Sequence, residues 1–254
     1  MIKRLKSLPK SVTAMLVTAL VLLVFSTVGG ARAALKYFSQ TYTGQFQTYH
    51  IGTRLNENGN LSASKKWSSG SWTTEGDSKI LSGITSFEFG KTYPEELTIA
   101  NTGEIKEYVR ATIYKYWVNA DGEKQVDLDP SYIQLELNTA DGWIKDTAYS
   151  ETEDHPERIV MYYTEPLDVG GETPAFMKSI KVDPAIKAVG TQTTETKTVD
   201  GKTVTTITTT YTYDGKFFAL EVQADAVQTH KAEDAIKSAW GRDVTISGTT
   251  LSLK

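Results

Sequence analysis

From Tyr108 the chain reads YVRATIYKYWVN, in which Val109, Ala111, Ile113 and Trp117 alternate with Tyr108, Arg110, Thr112, Tyr114 and Tyr116. Successive side chains on a strand point to opposite faces, so this period of two predicts a strand with the first set on a core. The second set is amphipathic rather than plainly polar, which predicts that this face is covered too. Before the strand stands Asn101-Thr102-Gly103. Asparagine and glycine tolerate positive φ, so the chain is expected to reverse there, with the preceding ELTIA as partner strand. Alternation recurs in SYIQLELN, which sets Ile133, Leu135 and Leu137 on one side, and in KFFALEVQADAV, with Phe218, Leu220, Val222, Ala224 and Ala226 in phase. RIVMYYT and AFMKSIKV flank EPLDVGGETP, whose Pro166, Gly170, Gly171 and Pro174 argue against regular structure. Asp121-Gly122 and Asp141-Gly142 mark tight turns.

Residues 191–213 read TQTTETKTVDGKTVTTITTTYTY. Such threonine content fits a glycosylated stalk, but Asp200-Gly201 between β-branched runs predicts a long exposed hairpin. Asn56 to Asp77 is polar and rich in glycine and serine, and reads as a long surface loop or hairpin. One helix is expected: Ala232, Ala235, Ile236, Ala239 and Trp240 share a helical face in THKAEDAIKSAWG. Thr229 is placed to cap its start and Gly241 to end it, and the helix is expected to cover one end of the fold. Many short strands, no βαβ alternation and one late helix predict an all-β, antiparallel β-sandwich.

The first 33 residues follow another logic. Lys3, Arg4, Lys6 and Lys10 precede an uncharged apolar run from Val12 to Val28, then Gly29-Gly30 and Ala31-Arg32-Ala33. This order predicts a signal peptide (1–33) cut between Ala33 and Ala34, with Ala31 and Ala33 as the small residues of the site. The alternative is an uncleaved anchor, since about 17–25 apolar residues span a bilayer. Either way residues 34–254 would face the outside.

Charge sharpens this picture. The net charge is −4, and removing the five positive charges of the leader (Arg32 included) would take it to roughly −9. An acidic exported body excludes nucleic-acid binding through a general basic footprint. Cysteine is absent, so no disulfide or thiol nucleophile exists and burial must hold the fold. The three histidines, His50, His155 and His230, show no zinc spacing. Asp127, Asp129, Glu151, Glu153 and Asp154 are candidate calcium ligands, but they lack the spacing and turn glycine of a calcium loop. No nucleophile elbow and no phosphate-binding or dinucleotide glycine motif occurs. No cofactor, metal site or catalytic residue is expected, and the chain reads as a non-enzyme.

The stretch GGARAALKYFSQ resembles the leader junction of exported substrates of the SipW-type signal peptidase, the TasA/camelysin family of Gram-positive surface and biofilm-matrix proteins. It departs from the family pattern at Ala31-Arg32 and Leu35-Lys36. EELTIANTGEIKEYVRATI is similar to the family's Asn-x-Gly turn between core strands. The resemblance implies a jelly-roll-like sandwich, secretion to the matrix or cell surface, processing by that peptidase, and self-association into fibres. It further implies that the mature N-terminus completes the sheet of the next subunit. Residues 34–50 suit such a donor strand: Phe38, Tyr42 and Phe46 would anchor it, with Gln40, Gly44 and Thr48 between them. The same segment could instead pair within its own subunit, and a spacing of four also fits a helix. Camelysin is described as a metalloprotease, but no zinc motif here carries that activity. Exposed Trp67, Trp72 and Trp143 in loops would suit a second role, a monomeric module binding carbohydrate or a host protein.

Overall fold

The computed structural model describes residues 11–12, 14–19, 50–68, 71–76, 79–84, 86–200 and 202–254. The chain divides into two units, Met1–Thr48 and Tyr49–Lys254. In the first, the described residues are helical and exposed, and Thr18 Oγ1 donates to the Ala14 carbonyl at 2.9 Å. Among the described residues no helix is long and apolar enough to cross a membrane. Ala31, Ala33, Ala34, Phe38, Tyr42 and Phe46 lie outside the described residues.

The second unit is an all-β antiparallel sandwich with one short late helix. One sheet contains β1 (Gly52–Glu57), β2 (Asn60–Ser68), β3 (Ser71–Glu75), β4 (Tyr93–Asn101), β7 (Ile133–Leu137) and β10 (Met177–Val182), in the order β3-β2-β1-β4-β10-β7. The other contains β5 (Glu107–Val118), β8 (Trp143–Lys145), β9 (Arg158–Tyr163) and β13 (Phe217–Gln228), in the order β13-β5-β9-β8, with the short β6 (Lys124–Gln125) also on β5. Leu97, Ile99, Phe176 and Met177 from the first sheet meet Val109, Ala111, Ile113, Ile159 and Met161 from the second. All nine are at most 1% exposed, so the apolar phase of each strand is the phase that points between the sheets.

The strand at Tyr108 is therefore read correctly, but its partner is not the preceding segment. β4 pairs with β1 and β10, whereas β5 pairs with β13 and β9. The intervening Asn101–Gly103 is a corner between sheets rather than a hairpin turn. The ladder β4·β10 continues through bridges at Ala100–Glu172 and Glu107–Leu167 into β5·β9. One two-stranded ribbon thus folds over onto itself, which is how a jelly-roll-like sandwich is wound. The segment Glu165–Pro174 is irregular, as expected: it forms no strand and joins the ribbon through the isolated bridges at Leu167 and Glu172.

Asn101 holds the corner. It is 1% exposed; its Oδ1 accepts from Gly103 N at 2.7 Å, and its Nδ2 donates to the carbonyls of Ile105 (2.8 Å) and Leu167 (3.1 Å). Gly103 is required for space and not for positive φ, since a Cβ there would lie 2.7 Å from the His50 carbonyl oxygen and 2.9 Å from Gly52 N.

The outer face of β5 is covered, as its composition predicts. Helix α1 (Ala232–Trp240) and the hairpin β14 (Val244–Ser247) and β15 (Thr250–Leu253) lay Ala232, Ile236, Val244 and Leu251 against Tyr108, Val160 and Tyr162. Arg110 sits over the Trp240 ring at 5.1 Å and bonds Asp225 at 2.7 Å. The helix thus covers a face of the sandwich, not an end. Thr229 does not cap it: Lys231, at φ 49°, occupies the cap position without a side-chain bond, while Gly241 ends the helix at φ 68°. Ala239 is exposed, so the packed stripe is narrower than expected. Asn56 to Asp77 resolves into β1, β2 and β3, the first turn carried by Asn58-Gly59 at φ 49° and 78°. The threonine-rich segment forms the hairpin β11 (Gly190–Val199) and β12 (Lys202–Tyr211), closed by a two-residue turn and exposed on every residue.

Replacing Asn101 by alanine leaves the Ile105 carbonyl and the Gly103 N–H without their side-chain partner in a buried corner, and the Leu167 carbonyl with the Glu107 N–H alone. The expected loss is about 2–3 kcal/mol in urea denaturation. A midpoint within error of the unsubstituted chain would mean that the corner does not depend on this side chain.

Candidate assembly surface

The expected core residues come together as read. Val109, Ala111 and Ile113 are fully buried, and Trp117 is 2% exposed with its Nε1 donating to the Asp129 carbonyl at 2.9 Å. They form the wall behind the surface where strands could be added.

That surface is the outer edge of β13. All twelve residues of β13 pair with β5, from Phe217–Val118 to Gln228–Glu107. Among the described residues no strand pairs with its other edge. Thr53 Oγ1 approaches there, donating to the Ala224 carbonyl at 3.3 Å. The inward-facing Phe218, Leu220, Val222, Ala224 and Ala226 pack on the core but stay half-buried, so the sandwich is incompletely closed along this side. Edge strands of this kind are templates for pairing. At ~3.3 Å per residue, a twelve-residue edge is about 40 Å long. The edges formed by β3, β7 and β8 have five, five and three residues.

The chain enters the sandwich close to this edge. The His50 carbonyl accepts from Glu104 N at 2.8 Å, the Gly52 carbonyl accepts from Thr102 N at 2.9 Å, and Gly52 N points to Glu107 Oε2 at 3.4 Å. Glu107 is fully buried, its Oε1 has no hydrogen-bond partner, and burial pushes its carboxyl up to about 8 against a weaker lowering by Gly52 N–H. Glu95, also fully buried, is pushed up to about 7 by burial and then by the neighbouring Glu57 carboxyl. Ser82 covers that pair, its N and Oγ donating to Glu57 at 2.9 and 2.8 Å.

At the opposite end of β5, Lys115 also points inward. Its Nζ donates to the Ile133 carbonyl at 3.1 Å and pairs with Glu151 at 2.7 Å. Burial works against the charge of Glu151, but Lys115 and Lys145 hold its carboxyl below the usual range. The other proposed calcium ligands also have structural partners or open surroundings: Asp129 accepts from Ser131 N at 2.8 Å and caps a short 3-10 turn. Among the described residues no three histidine, cysteine or acidic side chains stand together as a metal site would require.

The tryptophan expectation is corrected. Trp143 is 1% exposed, lies on β8, and donates its indole N–H to the Pro174 carbonyl at 2.8 Å. Trp67 and Trp72 stand opposite each other on β2 and β3, not on loops. An aromatic cleft that the sequence did not reveal, of about 460 Å³, opens instead at the base of the β11–β12 hairpin, lined by Phe89, Ile186, Lys187, Tyr211, Tyr213 and Phe217. Its residues come from three separate stretches, so no local pattern announces it. Glu107 and Lys115 did leave a signal, since both occupy the apolar phase of an alternating strand.

No family model, no curated protein and no solved structure matches this chain.

The raised carboxyls set a pH dependence. Glu107 and Glu95 bind protons more tightly in the fold than at their ordinary value of 4.5, so their contribution is fully present below pH 4.5 and is lost as pH rises through about 7 and 8. Stability should fall by on the order of 6 kcal/mol between pH 5 and pH 8, rather more than half of it through Glu107. Glu107→Gln should flatten most of that slope and raise the pH 8 midpoint. A slope unchanged by the substitution would show that Glu107 ionises without cost.

Proposed function

We propose that this chain is an exported structural protein whose subunits join into surface or matrix fibres, residues 34–48 of one copy adding as a strand to the β13 edge of the next. The observation that carries the reading is that long edge, bordered by half-buried apolar side chains and lacking a strand partner among the described residues. Strand addition satisfies such an edge through main-chain bonds, while alternate side chains set register. Phe38, Tyr42 and Phe46 supply large groups at regular spacing for the half-open side of the core. A head-to-tail contact of this type does not close on itself, so it propagates. The basic-apolar-small order of the leader supports export, and the SipW-type peptidase is the processing partner this reading implies. No catalytic residue and no cofactor has a part in it.

Two arms test this by electron microscopy of the processed chain. Deleting residues 34–48 should abolish filaments while circular dichroism keeps the β signature. A synthetic peptide of residues 34–48 in excess should shorten filaments of the undeleted chain. Filaments indifferent to both would remove the strand-addition mechanism.

The aromatic cleft favours one second reading, a binding module for carbohydrate. Phe89, Tyr211 and Phe217 are 44%, 53% and 59% exposed, and Lys187 lies 5.4 Å from the Phe89 ring centroid. Aromatic faces of this kind stack on sugar rings. On a panel of surface polysaccharides, Tyr211→Ala should weaken binding about tenfold or more. Absence of any binding to the panel by the unsubstituted chain would dismiss this reading.

A further inference from the structure

The β11–β12 hairpin presents a physical problem of its own. It is a ribbon of ten residue pairs, from Gly190–Tyr211 to Val199–Lys202, and every residue of both strands is exposed. A two-stranded ribbon with neither face packed is marginal in water, and stability ordinarily requires a third strand or a covered face. Here Val199, Val204 and Ile207 remain 54%, 48% and 62% exposed. Among the described residues neither outer edge of the ribbon has a partner.

The two edges differ in charge. β12 carries Lys202 as its charged residue, and nothing in it would fix the register of an added strand. β11 carries Glu195 and Lys197 on either side of Thr196. Turned by a two-fold rotation about Thr196, β11 is its own complement. In that antiparallel register Glu195 faces Lys197 of the second copy, Lys197 faces Glu195, and Thr194 faces Thr198. A slip of two residues one way sets Glu195 against Glu195, and the other way Lys197 against Lys197. A slip of one sets each charge against a threonine. Opposite charges directly across a ladder stabilise pairing and like charges oppose it, so one register is selected.

Within one copy Lys197 Nζ already meets Glu195 at 2.7 Å, but the two side chains are 67% and 64% exposed. A pair so open to solvent is weakly held and can exchange partners. On the opposite face of the ribbon Thr194, Thr196, Thr198, Thr203, Thr205, Ile207 and Thr209 form an uncharged array, which two joined ribbons would extend across four strands.

We propose that β11 is a homophilic docking edge, through which two copies of this chain join by antiparallel, two-fold pairing centred on Thr196. The contact is closed and pairs molecules side by side. It is independent of strand addition at β13, so deleting residues 34–48 leaves it intact.

The absence of cysteine gives a clean probe. In the full chain, Thr196→Cys places the new thiol opposite its own copy, and mild oxidation should give a disulfide-linked dimer. Thr206→Cys, on the outward face of β12, should stay monomeric. Adding Glu195→Lys, or Lys197→Glu, to Thr196→Cys sets like charges across the interface and should lower dimer yield about tenfold or more. Combining both swaps exchanges the charges, recreates the complement and should restore the yield. None of these positions touches the core, so folding is not at stake. Equal cross-linking at residues 196 and 206, insensitivity to the single swaps, or failure of the double swap to recover the dimer would each overturn the proposal. No dimer from Thr196→Cys would do the same.

Discussion

The rest of the structure depends on one corner, where a two-stranded ribbon leaves the first sheet and enters the second. Backbone pairing continues around it, with Asn101 N donating to the Gly171 carbonyl at 2.9 Å and Glu107 N and Leu167 N exchanging bonds with each other's carbonyls at 3.2 and 2.7 Å. Between those bonds the ribbon must bend, and bending exposes carbonyls that a buried corner cannot leave unsatisfied. The Asn101 side chain reaches two of them. Gly103 lets the incoming chain at His50–Gly52 pass close enough to start β1. Without this corner the two apolar faces would have no reason to meet in register, because no disulfide exists to align them.

The two sides of the sandwich are finished differently, and the difference bears on function. The outer face of β5 and β9 is closed by the late helix and the C-terminal hairpin, with Arg110 held between Asp225 and Trp240. The β13 edge has no such cover among the described residues, although the side chains behind it are as apolar as those in the core. A fold that places a helix and a hairpin over one face could equally have protected a twelve-residue edge. Natural sheets usually blunt long edges with charge, proline or a bulge. β13 has Glu221 and Asp225, no proline, and an unbroken register with β5. Apart from those two charges, the edge carries none of the usual blunting devices, as the strand addition proposed above would require.

Local periodicity carried much of the fold into the sequence. The core phase of β5, the inward set of β13, the Asp200 hairpin and the helix ending at Gly241 were all readable because each depends on neighbours a few residues apart. What failed depended on distant neighbours. The Asn-Thr-Gly segment has the composition of a hairpin turn, and nothing local tells that Leu167–Glu172 returns alongside it. Trp143 has the look of a loop tryptophan beside Asp141-Gly142, yet β8 places it against Phe176 and Tyr163. Lys231, an unremarkable residue by composition, displaces Thr229 at the helix start because it adopts the left-handed conformation there. Of the candidate assembly residues, the wall behind the edge was legible; the aromatic cleft, gathered from three stretches, was not.

β5 also shows why the apolar phase of a strand should be read for its exceptions. Glu107 and Lys115 lie eight residues apart on the same inward face, one at the corner and one under Ile133. The lysine keeps its charge company with Glu151, whereas Glu107 has only the Gly52 amide and an Oε1 without partner. Two buried groups of opposite sign on one strand do not compensate each other at that separation, because each is desolvated where it stands. Glu107 therefore avoids the cost by keeping its proton. The neutral carboxyl sits beside the point where the chain enters the sandwich, so its ionisation would put a bare charge where β1 begins. The Gly52 N–H favours the ionised carboxylate, so that bond tightens when the proton leaves, and burial is what opposes ionisation at Glu107.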